Sequence, residues 1–228
     1  MVKGHGFDIF NKSTKIEADI SIDSLLYNSK KYYGINLSGS LSNGKFNAQF
    51  ASKNKNWDFI ASATGILETD HYIFNANADV NDLNLHALRL MDITSQGSCN
   101  IQAFGDIDLH RGIYEFSTDI ENLRWTLDDN FYYTDMIELD LDSDSTNFNL
   151  YAENNDFSFS LASECNFHSI MTRLSHIANV TSLQWKNKYI DTDSLHGALP
   201  PMSCEVNLGS RNIGQQFLNH SNISYKSC

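Results

Sequence analysis

The sequence predicts a mainly β fold: a long up-and-down antiparallel sheet of roughly ten to twelve strands, followed by a helical segment that rejoins it. Three observations predict it. Apolar and polar residues alternate with a period of two through the first 165 of the 228 positions, the mark of strands buried on one face. The alternating runs are separated by short turn signals, and connections that short join antiparallel neighbours. After residue 165 the apolar period lengthens to that of a helix.

The elements follow in order. Ile16, Ala18, Ile20 and Ile22 alternate with Glu17, Asp19, Ser21 and Asp23. Asn43-Gly44 suits a type I′ hairpin, whose two central residues need positive φ, so residues 37–41 should pair directly with 45–50. Phe46, Ala48 and Phe50 form the next apolar face, then Phe59, Ala61 and Ala63, then Phe74, Ala76, Ala78 and Val80. Ile101, Ala103 and Ile107 follow, then Tyr114, Phe116, Thr118 and Ile120, then Ile137, Leu139 and Leu141, then Phe148 and Leu150, and last Phe157, Phe159 and Leu161. Turn signals such as Arg111-Gly112, Asp128-Asp129-Asn130 and Asn154-Asn155-Asp156 stand between them. Residues 72–83 echo residues 112–123 at an offset of 40, with a shared Asp-(Val/Ile)-x-x-Leu ending.

Phe167, Ile170, Met171, Leu174, Ile177 and Ala178 lie on one helical stripe, with Asn166 as N-cap, which predicts a helix over 167–178. A strand over 203–208, a short helix over 211–219 and the start of another strand at 222–226 complete the chain. Two segments result, a sheet over 1–165 and a helix-strand-helix-strand segment over 166–228 that continues the same sheet. The only prolines are Pro200 and Pro201, and no linker divides the chain. Residues 6–10 already read as extended, so both ends are expected to be cuts through a continuing sheet.

Composition excludes several functions. Hydrophobic residues are 41% and charged residues 19%, too apolar for disorder. The net charge of −12, without a dense Lys/Arg cluster, argues against nucleic acid. No apolar run reaches the ~18 residues of a membrane span, and Lys3, His5 and Asp8 stand where a signal peptide is apolar. Cys99, Cys165, Cys204 and Cys228 show no zinc-like spacing and are expected to be small buried hydrophobes plus a terminal thiol, although the spacing does not decide against disulfides. Asp140, Asp142 and Asp144 begin like a calcium loop, but Ser145 stands where the turn needs Gly and Tyr151 where a Glu belongs. His168 and His176 are two turns apart, too far for one metal. No nucleophile elbow or phosphate loop is present, and the five Asn-x-Ser/Thr sequons are compositional. The chain reads as a non-enzyme with no cofactor and no metal.

One resemblance adds to this. Ile22-Asp23-Ser24-Leu25-Leu26-Tyr27 with residues 35–48, the run 78–90 leading into 97–109, and residues 195–209 with Asn212-Ile213, Phe217-Leu218 and residues 222–225 are similar to interior segments of the TamB-like translocation and assembly module proteins of Gram-negative bacteria. The resemblance spans about residues 15–227 and includes no catalytic signature. It implies a long periplasmic sheet curled into an open apolar trough, part of a longer protein anchored in the inner membrane. It further implies phospholipid transfer, outer-membrane biogenesis, and barrel-assembly proteins as partners. This chain carries neither the family's N-terminal anchor nor its C-terminal domain, as an internal fragment would.

The residues themselves point to the same trough. A dozen strands about 4.8 Å apart make a groove about 60 Å long. Its expected wall is Ile20, Ile22, Leu37, Phe46, Ala48, Phe50, Phe59, Ala61, Ala63, Phe74, Ala76, Ala78, Ile101, Ala103, Phe116, Ile120, Leu139, Leu141, Phe148, Leu150, Phe159 and Leu161. The many alanines leave width for phospholipid acyl chains, where a closed core would fill with larger side chains. The helix face of Phe167, Ile170, Met171, Leu174 and Ile177 complements such a wall and is expected to pack on it. The rest of a parent chain, or a homologous sheet, is expected at both sheet edges. The alternative is a β-sandwich that binds carbohydrate or another surface, with Tyr32-Tyr33, Trp125, Tyr132-Tyr133 and Trp185 as an aromatic platform.

Overall fold

The computed structural model describes residues 1–6, 8–27, 30–188, 191–193, 197, 199 and 201–220. Among these, twelve strands form one antiparallel sheet in strict sequence order, so each strand's hydrogen-bonded neighbour is also its neighbour in the chain. They are β1 (Val2–His5), β2 (Lys15–Tyr27), β3 (Lys30–Ser42), β4 (Lys45–Asn54), β5 (Trp57–Leu67), β6 (His71–Asn84), β7 (Ser95–Asp108), β8 (Ile113–Leu127), β9 (Asn130–Ser143), β10 (Phe148–Asn154), β11 (Phe157–Ser163) and β12 (Met202–Leu208). The sheet does not close, since β1 and β12 are its two edges. α1 (Phe167–Asn187) lies between β11 and β12, and α2 (Ile213–His220) follows β12. The fold is the open meander that the alternation predicts, with one long helix and one short helix near the C-terminus.

Local chemistry sets the elements. Asn43 and Gly44 have φ of 53° and 72°, the type I′ pair expected, and the turn sets Leu41 opposite Phe46 and Leu37 opposite Phe50. Asn166 caps α1, its side-chain oxygen accepting from the Ser169 amide at 2.9 Å. Four boundaries differ from expectation. Residues 8–14 are not extended: Asn11 donates to the Asp8 carbonyl at 3.1 Å, and the Thr14 hydroxyl donates to the same oxygen at 2.6 Å, so the chain turns there. α1 runs on to Asn187, because Val180, Leu183 and Gln184 continue helix-compatible sequence without a Gly or Pro. β12 begins at Met202, and α2 begins at Ile213, two residues later than expected. The strand expected at 222–226 lies outside the described residues.

The sheet is a single layer. Each strand packs chiefly against its ladder neighbours, with α2 packed on β9. Among the described residues only Ile35, Leu41, Leu88, Cys99, Phe148 and Ile170 are buried apolar side chains. The accessible surface is 14979 Å², against about 10,500 Å² for a compact monomer of this mass. A bulge line crosses the middle strands. Register shifts occur at Asp58/Phe59 in the β5–β6 pair, at Val80/Leu83 in β6–β7 and at Ser98/Asn100 in β7–β8, and Asn122 on the same line has φ of 54°. Bulges sharpen bend and twist, so this line creases the sheet lengthwise. The sequence echo falls on β6 and β8, and its shared ending falls on the crease.

Candidate functional site: an uncharged trough across the strands

Antiparallel register aligns the inward side chains into rows that run perpendicular to the strands. The middle row is Val2, Ala18, Gly39, Ala48, Ala63, Ala76, Ala103, Thr118, Leu139, Ala152, Phe159 and Val206, each directly opposite the next. On one side of it run Ile20, Leu37, Phe50, Ala61, Ala78, Ile101, Ile120 and Ile137. On the other run Ile16, Leu41, Phe46, Gly65, Phe74, Gly105, Phe116, Leu141, Leu150, Leu161 and Cys204. No charged residue occupies any of these three rows.

The structure places every expected wall residue on this one face. Most fall in the three rows; Ile22 and Phe59 continue it toward the crease, and Phe148 continues it toward the opposite rim. Gly65 and Gly105 make room for aromatic rings: a Cβ on Gly65 would meet the Phe46 ring at 2.6 Å, and one on Gly105 would meet the Phe74 ring. A hollow of about 220 Å³ lies over β3 to β7, lined on its apolar side by Leu37, Ala48, Phe50, Ala61, Ala63, Ala76, Ala78 and Ile101.

Beyond the crease the apolar face carries residues that the expected wall did not include. Trp57, Leu83, Gly97, Trp125 and Tyr132 follow one another across β5 to β9. Trp57 packs on Phe50, Phe59 and Tyr32 with centroid distances of 6.0, 5.6 and 5.7 Å. Tyr33 and Tyr133 project to the other face and are exposed. The aromatics of the carbohydrate-platform alternative that lie on the sheet are therefore split between two faces.

α1 meets the trough by its first turn. Phe167 stacks on Tyr114 at 4.6 Å and lies 6.3 Å from Phe148, and Ile170 is fully buried. Packing of the whole stripe is not observed: Ile177 is half-buried, Met171 and Leu174 each keep 37% of their surface, and Leu183 keeps 59%. The helix leaves the sheet at a strand end, so only its base reaches the rim.

The opposite face is polar, with its acids concentrated on β8 and β9. Glu115 lies opposite Asp142, and Asp119 opposite Glu138, which is itself opposite Glu153. Asp140 and Asp142 sit on this exposed face of β9. Asp144 caps the following turn, and amide donors from Thr146 and Asn147 hold its carboxyl down at about 2. Among the described residues no cluster of His, Cys, Asp or Glu could hold a metal, and no helix is long and apolar enough to cross a membrane. Cys99 is buried, which pushes its thiol upward; Cys165 is half-buried, and Cys204 is exposed on β12. Cys228 lies outside the described residues.

A second hollow, of about 580 Å³ and polar, lies between α2 and β9. Asp156 holds α2 there, accepting from the Asn212 amide at 2.8 Å and from the Ser210 and Arg211 backbones at 2.7 and 2.9 Å. The Gln216 amide mimics a strand on the free edge of β9: it accepts from Tyr133 N–H at 2.9 Å and donates to Tyr133 C=O at 2.7 Å. No protein-family model, curated protein or solved structure matches this chain.

Proposed function

We propose that the trough carries phospholipid acyl chains, and that the chain is a segment of a bridge-like periplasmic protein serving lipid transfer and outer-membrane biogenesis. One observation carries this reading: an uncharged apolar face, aligned in register across the strands, lies open instead of being packed by a second layer. A single sheet leaves that face to water unless something covers it. An acyl chain fits an apolar channel without requiring side-chain complementarity. Trp57 Nε1 and Thr118 Oγ1 are buried without a hydrogen-bond partner among the described residues. The periplasmic setting, inner-membrane anchoring through a longer parent chain, and barrel-assembly partners rest on the TamB resemblance. On the same reading, the parent chain or a homologous sheet pairs with the edges at β1 and β12. Organic extraction of the purified chain followed by mass spectrometry tests it: phospholipid should be recovered in stoichiometric amount, and a lipid-free chain that takes up none from added vesicles refutes it.

A further inference from the structure

Strand connections are short turns except at three places, and the longest, residues 164–201 between β11 and β12, contains α1. Among the described residues the base of this helix is packed on the sheet, by Phe167 on Tyr114 and by buried Ile170, and near its other end Gln184 exchanges two hydrogen bonds with the Asp191 backbone. Past the first turn Met171 and Leu174 remain 37% exposed, and Leu199 in the same connection is 42% exposed. Arg173 reaches the Leu199 carbonyl at 3.4 Å, so cation and apolar side chains sit together.

Charge distinguishes this segment from its surroundings. Residues 58–164 hold 21 Asp and Glu against three arginines, a net of −18. Residues 165–190 hold no acid and carry Arg173, Lys186 and Lys188, a net of +3, while Glu164, Asp191 and Asp193 at the two ends bring the whole connection of 164–201 to a net of zero. Among the described residues no ion pair ties these cations to the acidic sheet. Within α1 itself Arg173 and Lys186 stand without any acid, and cations beside exposed apolar side chains on one helix are the features that bind a helix flat on an anionic lipid surface.

We propose that α1 is a membrane-surface helix that seats the adjoining rim of the trough on an anionic lipid bilayer. The base of the helix is fixed to the rim row through Tyr114 and Phe148, so a bilayer that holds α1 lies next to the trough mouth. The segment would then work beside a membrane and not in mid-gap. This inference rests on α1 and its charge, and it stands whether or not the trough itself holds lipid.

Flotation of the full 228-residue chain with phosphatidylcholine vesicles, with and without about one third phosphatidylglycerol, tests it. The chain should float only with the anionic vesicles and be released by high salt. Each neutralised cation should weaken binding about fivefold, so Arg173→Gln with Lys186→Gln should lose about 25-fold, with far-UV CD unchanged. Leu174→Ser should also weaken binding, whereas Lys45→Gln, which removes an exposed cation far from α1, should float as the wild type does. Equal flotation with neutral vesicles, no flotation with either, or full binding by the double variant each overturns the proposal. The last result would point to a protein partner or to the trough as what covers the helix.

Discussion

Replacing Ala76 by Asp distinguishes an open trough from a closed core, because the two environments treat a carboxylate oppositely. Ala76 stands in the middle row with Ala63 and Ala103 directly opposite, and it lines the hollow of about 220 Å³. In a packed interior an unpaired carboxylate costs several kcal/mol. In the open trough it stays hydrated, and the loss should be about 1 kcal/mol or less, the span of strand propensity. Bound lipid responds differently. The hollow extends from β3 to β7, about 19 Å at about 4.8 Å per strand. A hydrated carboxylate at its centre displaces on the order of three or four methylenes, at about 0.8 kcal/mol each. That is about 3 kcal/mol, or about a hundredfold in occupancy. Urea unfolding followed by CD gives the first quantity and lipid extraction the second. A midpoint drop equivalent to more than about 3 kcal/mol would mean that the face is a closed core, and unchanged lipid content would mean that the lipid binds elsewhere.

Two further outcomes are expected. Gly65→Ala should destabilise the sheet by about 1–3 kcal/mol, since its Cβ would press on the Ile73 carbonyl and on the Phe46 ring at 2.6 Å; an unchanged urea midpoint would remove close ring packing from the account of that row. Asp156 is held below its ordinary pKa, first by the Asn212 amide and then by the Arg211 and Ser210 backbones. A carboxyl lowered in the folded state contributes its stability above the unfolded value and loses it as pH falls through the folded one. The α2 clasp should therefore hold at neutral pH and release only below about pH 4. Hydrogen exchange at the Tyr133 amide reports this: protection should disappear in Asp156→Ala at neutral pH and in the wild type under acid. Retained protection in the variant would show that Gln216 needs no help from Asp156.

The meander was legible because each strand obeys one period over most of its length. The expected wall residues share one face because their alternation is unbroken from the hairpin ends to the crease. What could not be read lies past the crease. In β6 the inward residues run Phe74, Ala76, Ala78, Val80 and then Leu83; in β8 they run Phe116, Thr118, Ile120 and then Leu123 and Trp125. Each bulge inserts a residue and reverses the parity, so a period-two reading assigns Trp125 and Leu83 to the wrong face. A signal was present: the shared Asp-(Val/Ile)-x-x-Leu ending of the two echoing runs marks where both strands change parity. The extent of α1 packing was illegible for another reason. An amphipathic stripe shows that a helix has an apolar face, but not whether the connection is long enough to lay that face on the sheet.

The middle row also explains why the hollow occupies only part of the sheet. From β4 to β7 its floor is Ala48, Ala63, Ala76 and Ala103, flanked by larger residues such as Phe50 and Ile101 on one side and Phe46 and Phe74 on the other. A small floor between rows that carry these large side chains, spaced by Ala61 and Ala78 on one side and Gly65 and Gly105 on the other, makes a channel. From β8 onward the same row carries Thr118, Leu139, Phe159 and Val206, interrupted only by Ala152. The floor rises to the height of the walls, and Phe167 adds a ring over the rim at Tyr114. An acyl chain moving along the sheet would therefore lie deep over β4 to β7 and shallow over β8 to β12. The shallow end is the one beside α1 and its cations. On the proposed reading, retention would fall to the alanine-floored half and exchange with a surface to the other.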